Sequence, residues 1–169
     1  MKLLSSVFTG LILFTSAIVI AQDYQPPADQ PGTKDEFIKS EKDLIAAAKW
    51  LESTAITKDD LTRKKTSAWV IVWVSNSPTV NVTIYGGVIK PFDKNPDLLG
   101  VFMAAYARYV IENNYDKDVF KGNLAGIKSV INCCNLGGSL KKDKNLTELL
   151  EADKEGKLED WLNKAMASK

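Results

Sequence analysis

Residues 98–111 carry one charge, Arg108, and the apolar side chains Leu98, Leu99, Phe102, Met103, Tyr106, Tyr109 and Val110 recur through them at helical spacing. The run is too long for an ordinary strand, and it begins at Asn95-Pro96-Asp97, where proline suits the first helical position. A helix apolar nearly all round has no face to give to water, so other elements must wrap it. The expected fold is therefore all-α. We expect a single-domain bundle of about six helices over residues 34–168, with helix 96–113 at its centre.

Its neighbours read as amphipathic helices. Thr33 and Glu36 form a T-x-x-E capping box ahead of Phe37, Leu44, Ala48 and Leu51, with Ile38, Ile45 and Trp50 beside them, which predicts a helix to about Ser53. Thr57-Lys58-Asp59-Asp60 puts acids where the helix dipole favours them, before Leu61, Ala68, Trp69, Val72 and Trp73. Asp116 or its neighbours open a helix through Val119, Phe120, Leu124, Ile127, Val130 and Ile131 to Cys134, with Gly137-Gly138 as a C-terminal stop. Gly122 and Gly126 lie one turn apart in it, which would let another helix come close. Two short helices, one through Leu146, Leu149 and Leu150 and one through Leu158, Trp161, Leu162 and Met166, are separated by Gly156.

Residues 68–85 admit two readings. The β-rich run 68–74, followed by the alternation of 79–84, would suit a hairpin and make the fold α+β. Against that, Val80, Ile84, Val88 and Phe92 recur every four residues behind Ser77-Pro78, a good cap with proline after it. A helix is preferred there. Gly86-Gly87 within it would mark a kink, an early end or a close approach by another backbone.

Lys2 precedes an apolar run, residues 3–21, and then a polar, proline-bearing junction. That is the pattern of a secretory signal peptide, with Val19 and Ala21 at the −3 and −1 positions of a cleavage site after Ala21. The run is close to membrane-spanning length, but Ser5, Ser6, Thr9, Gly10, Thr15 and Ser16 dilute it and no cluster of Lys or Arg follows. Residues 22–33, with three prolines and a glycine, read as a flexible leader. The expected protein is exported, periplasmic or secreted, with no stable membrane insertion after cleavage.

Removal of residues 1–21 takes Lys2 away and leaves 21 basic and 21 acidic side chains. That balance argues against nucleic acid, which needs a basic excess on one face. The chain has no histidine. Ser-His-Asp and Cys-His nucleophiles, histidine-ligated zinc and an imidazole base are thereby excluded. Asp93-Lys94-Asn95-Pro96-Asp97 resembles the start of a calcium loop only superficially, since Leu98 stands at the glycine position and Ala104 at the bidentate glutamate. No metal site and no cofactor is expected.

Two groups of residues remain as candidates for interaction or redox chemistry. Cys133 and Cys134 are adjacent, so a bond between them would need a strained eight-membered ring that an intact helix should not allow. Tyr106, Arg108, Tyr109 and Glu112 place polar tips and an i,i+4 charge pair at the end of the most apolar helix, where a surface salt bridge is the plainer account. The functional expectation is an exported, soluble, non-enzymatic helical module that binds a protein partner. A carboxylate-dependent cell-wall or sugar hydrolase, which needs no histidine, is the competing class.

Overall fold

The computed structural model describes residues 24–57 and 60–168, and within them the chain is all-helical. The seven helices are α1 (Lys34–Ser53), α2 (Leu61–Asn76), α3 (Gly86–Ile89), α4 (Asp97–Glu112), α5 (Val119–Asn135), α6 (Lys144–Lys154) and α7 (Leu158–Ala167), with a 3-10 turn (Lys90–Phe92) continuing α3. No strand forms among the described residues; the one β-like contact is an isolated bridge between Ile56 and Gly138.

Helix α4 is the centre that its composition demands. Ten of its sixteen residues are buried, and it packs against α1, α2 and α5 together, which leaves it almost no solvent face. Two glycines bring α5 against it. A Cβ on Gly122 would sit 2.4 Å from the Tyr106 ring, and one on Gly126 would sit 2.6 Å from the Phe102 ring. The aromatic rings of α4 thus occupy the space that side chains would take on α5.

Helix starts follow the expected side chains closely. Thr33 and Glu36 complete their capping box, and Asp60, Asp118 and Asp143 each accept a main-chain N–H in the first turn of α2, α5 and α6. Gly137, Gly138 and Gly156 all have positive φ, so the stops after α5 and α6 use the backbone freedom that only glycine supplies cheaply.

Three expectations are corrected. Residues 77–85 form neither the preferred helix nor half of a hairpin: α2 runs unbroken through 68–74, and the chain then lies extended until Gly86 opens α3. The β-branched run Val80, Val82, Thr83 and Ile84 resists helix, and Ser77 caps only a turn, its hydroxyl accepting the N–H groups of Thr79 and Val80. Gly86-Gly87 therefore starts a helix. Gly87 also lies so near Ala165 and Ser168 that a Cβ would clash with both, which is the close approach that the glycine pair suggested.

The second correction is the register of α2. Trp69 and Trp73 are buried, but Val70, Val74, Thr66 and Arg63 share their face while Leu61, Ala68 and Val72 point outward. The third concerns the leader. Residues 24–33 have no regular structure, as expected, yet they are fastened to the bundle: Tyr24 stacks on Trp50 at 4.9 Å, and Trp69 donates its indole N–H to the Asp29 carbonyl at 2.9 Å. The expected signal peptide and its cleavage site lie outside the described residues. Within those residues no helix is long and apolar enough to cross a membrane.

Candidate functional site

The extended segment 77–85 runs beside α4 and α5 and leaves a groove of about 840 Å³ along it. Val74, Val80, Val82, Met103, Val110 and Val119 give the groove an apolar lining, while Thr79, Asn81, Asp116 and Lys117 supply polar edges. The segment is held at few points. Val80 is buried beneath it, and Asn123 of α5, itself fully buried, donates its amide to the Thr83 carbonyl at 3.3 Å and to the Val119 carbonyl at 2.8 Å. Tyr106 hydrogen-bonds Thr83 as well, and burial pushes its hydroxyl above the usual tyrosine range.

Between those anchors the backbone is unpaired. The N–H groups of residues 81, 82 and 84 and the carbonyls of residues 80–82 have no hydrogen-bond partner among the described residues, while the Thr83 N–H faces the Tyr106 hydroxyl. Unpaired main chain beside a groove offers alternate residues to which an added peptide strand can pair.

One end of the groove is closed by a strained turn. The N–H of Tyr115 bonds the Val110 carbonyl at 2.7 Å, a six-residue closure of α4, and Asn114 and Tyr115 have φ of 55° and 58°. Asparagine tolerates that region; tyrosine pays for it with its Cβ, at about 1–2 kcal/mol. The strain is offset by a contact across the bundle, since the Tyr115 hydroxyl donates to both carboxylate oxygens of Glu41 at 3.0–3.1 Å, and Thr79 donates to the same carboxylate at 3.2 Å. Beside it, Tyr109 donates to Asp116 at 2.7 Å. That bond raises the Tyr109 hydroxyl to about 12 and holds the Asp116 carboxyl below its ordinary range.

The residues singled out from sequence divide between this groove and other places. Tyr106 lines the groove, and Tyr109 fixes Asp116 at its rim. Arg108 and Glu112 do not line it. Arg108 reaches Glu52 of α1 at 2.9 Å and Glu112 at 3.7 Å, and Glu52 also accepts the Ser129 hydroxyl at 2.6 Å, so one carboxylate ties α1, α4 and α5 together. The residues missed by sequence reasoning are Glu41, Thr83, Tyr115, Asp116 and Asn123. Asn114-Tyr115 directly after a helix was the one local signal for any of them.

Cys133 and Cys134 are free thiols inside α5, both buried. Burial raises both, Cys134 to about 12. Protonated buried thiols are poor nucleophiles and poor ligands, and both side chains pack in the hydrophobic core. Next to Cys133 lies Arg63, only 1% exposed. Its guanidinium sits 5.6 Å over the Trp50 ring and donates to the carbonyls of Leu51 (3.0 Å) and Thr54, so a cation from α2 closes the C-terminal end of α1. Among the described residues no group of three or more Asp, Glu or Cys side chains is placed to hold a metal ion.

No protein-family profile, curated protein or solved structure matches this chain.

Proposed function

We propose that the protein is an exported, non-enzymatic binding module whose groove along residues 77–85 receives an extended segment of a protein partner. The observation that carries this reading is the unpaired main chain: the N–H groups of residues 81, 82 and 84 and the carbonyls of residues 80–82 have no partner among the described residues, beside a lined groove. A peptide laid there gains main-chain hydrogen bonds from Val82 and Ile84, the alternate residues on the side away from the Thr83 anchor, and apolar contact from Val82, Met103 and Val110. The Tyr115 turn supports the reading as well, because backbone strain held in place by a cross-bundle contact is characteristic of ligand clamps.

The competing hydrolase reading would rest on the carboxylates nearest the groove, Glu41 and Asp116. Asp116 is held ionised by Tyr109 and by the N–H of Asp118, which suits a base or a nucleophile; the raised carboxyl that a sugar hydrolase needs as its acid is a different environment. The two readings separate in one experiment. A photo-crosslinking residue placed at Ile84 should trap one protein species in the source cell, while the same residue at Lys154 on α6 traps none. Absence of any adduct at Ile84, together with cell-wall hydrolysis that Asp116→Asn abolishes, would replace the binding reading with the enzymatic one.

A further inference from the structure

The leader, residues 24–31, is held on the α1–α2 face by side-chain contacts; among the described residues it makes no main-chain to main-chain hydrogen bond. Tyr24 lies flat on Trp50, with the two rings 20° from parallel. Trp69 and the leader exchange a reciprocal pair, the indole N–H to the Asp29 carbonyl at 2.9 Å and the Gln30 amide to the Trp69 carbonyl at 3.0 Å. Pro26 and Pro27 sit half-buried at the edge of a cleft of about 560 Å³ whose far wall is Leu61, Ala68 and Val72. A tryptophan lining the cleft that holds Pro26 and Pro27, with its indole donating to a main-chain carbonyl, is the kind of arrangement by which aromatic grooves take proline-bearing peptides.

The face is larger than its occupant. Leu61 is 69% and Val72 43% exposed on the open side of the cleft, so the apolar surface of α2 continues past the leader. At its other end the leader meets Gly32, whose N–H is held by the Glu36 side chain at 2.8 Å, so displacement that begins at Pro31 leaves the capping box of α1 in place.

We infer that the α1–α2 face is a receptor for an extended, proline-bearing protein segment led by an aromatic residue, and that the chain's own leader is its tethered occupant, displaced when such a partner binds. This rests on the leader contacts and is independent of the 77–85 groove. Tethering gives the leader a high local concentration, so it blocks weak ligands and yields to a segment that also covers Leu61 and Val72.

The test uses a fluorescent peptide with the leader's own sequence, QDYQPPADQPG, against the purified chain and its Tyr24→Ala, Gln30→Ala double variant. The variant cannot seat its own leader, so it should bind the peptide at least about tenfold more tightly than the parent chain; a scrambled peptide should bind neither. Equal binding to parent and variant, or binding of the scrambled peptide, overturns the inference, provided the helical circular dichroism is unchanged. Should the variant fail to fold, the parent chain decides the matter by nuclear magnetic resonance. Excess unlabelled peptide should move the Gln30 side-chain amide to its free-peptide position while the Trp69 indole N–H stays in its bound position, and an unmoved Gln30 amide at saturating peptide overturns the proposal. Self-association that the peptide abolishes would make a second copy of the chain the occupant and overturn the assignment to a partner.

Discussion

The α4–α5 seam and the extended segment 77–85 lie side by side and are built on opposite principles. In the seam, Gly122 and Gly126 bring α5 onto the rings of Tyr106 and Phe102 with no room for a methyl group. In the segment, a buried valine, the Asn123 amide, the Tyr106 hydroxyl and the Thr79–Glu41 bond hold nine residues, and much of the main chain between them is unpaired among the described residues. Yet Tyr106 belongs to both, packing against Gly122 with its ring and bonding Thr83 with its hydroxyl. The rigid seam therefore sets where the adaptable edge lies, which is how binding segments are commonly carried on packed scaffolds.

The sharpest way to break this comparison is to fill the seam. Gly126→Val puts atoms where the Phe102 ring and carbonyl lie, and it should destabilise the protein by about 3 kcal/mol although valine is the better helix former. Denaturant unfolding reads the effect; a loss under about 0.5 kcal/mol would mean that α5 slides freely and the seam fixes nothing. Next in size is Glu52→Ala, which unties Arg108 and Ser129 from α1 and should lose about 1–2 kcal/mol, since the pair is only about one-fifth exposed. On the segment the expectation reverses. Ile84 is 41% exposed, so Ile84→Asp should change stability by less than about 0.5 kcal/mol while abolishing capture of the partner. Large destabilisation by Ile84→Asp would show that the edge is structural.

What was legible in the sequence follows the same division. The seam's elements announced themselves: the near-chargeless run of α4 and the glycine pair of α5 are local signals, and so are the helix starts at Thr33 and Asp60 in the neighbouring α1 and α2, each decided within a few residues. The segment was not legible, because Val80, Ile84, Val88 and Phe92 fit a helical period by coincidence while local β-branching opposed it, and nothing local says that α4 and α5 would offer Val80 a place to lie extended. The inner face of α2 was misjudged by one position for a related reason. Its apolar residues cover two faces, Trp69, Val70, Trp73 and Val74 inward and Leu61, Ala68 and Val72 outward, and only the packed bundle shows which is which. Glu41 meets Tyr115 from 74 residues away, a contact that no local pattern announces.

The smallest expected effect tests the rim, where Tyr109 and Asp116 hold the turn that the groove ends on. In the folded chain Asp116 ionises below its ordinary value of 3.8, so its contribution to stability is present above that pH and is lost as the pH falls through the lower folded value. Tyr109 behaves in mirror image. Its folded value is raised from 10.0 to about 12, so the neutral hydroxyl's contribution is complete below pH 10 and disappears between 10 and 12. The Tyr109–Asp116 bond is the first cause of each shift, so Tyr109→Phe removes the tyrosine's contribution and part of the aspartate's, whose remainder comes from the Asp118 N–H and Lys121. The stability difference between parent and Tyr109→Phe should therefore be greatest between about pH 4 and pH 10 and shrink on both sides. Cys134, whose thiol rises from 9.0 to about 12, makes both proteins less stable in alkali, but it contributes equally to each and cancels in the difference. A difference that stays flat across the range would mean that the hydroxyl acts by filling space, and that the rim of the groove is held by the Glu41–Tyr115 contact alone.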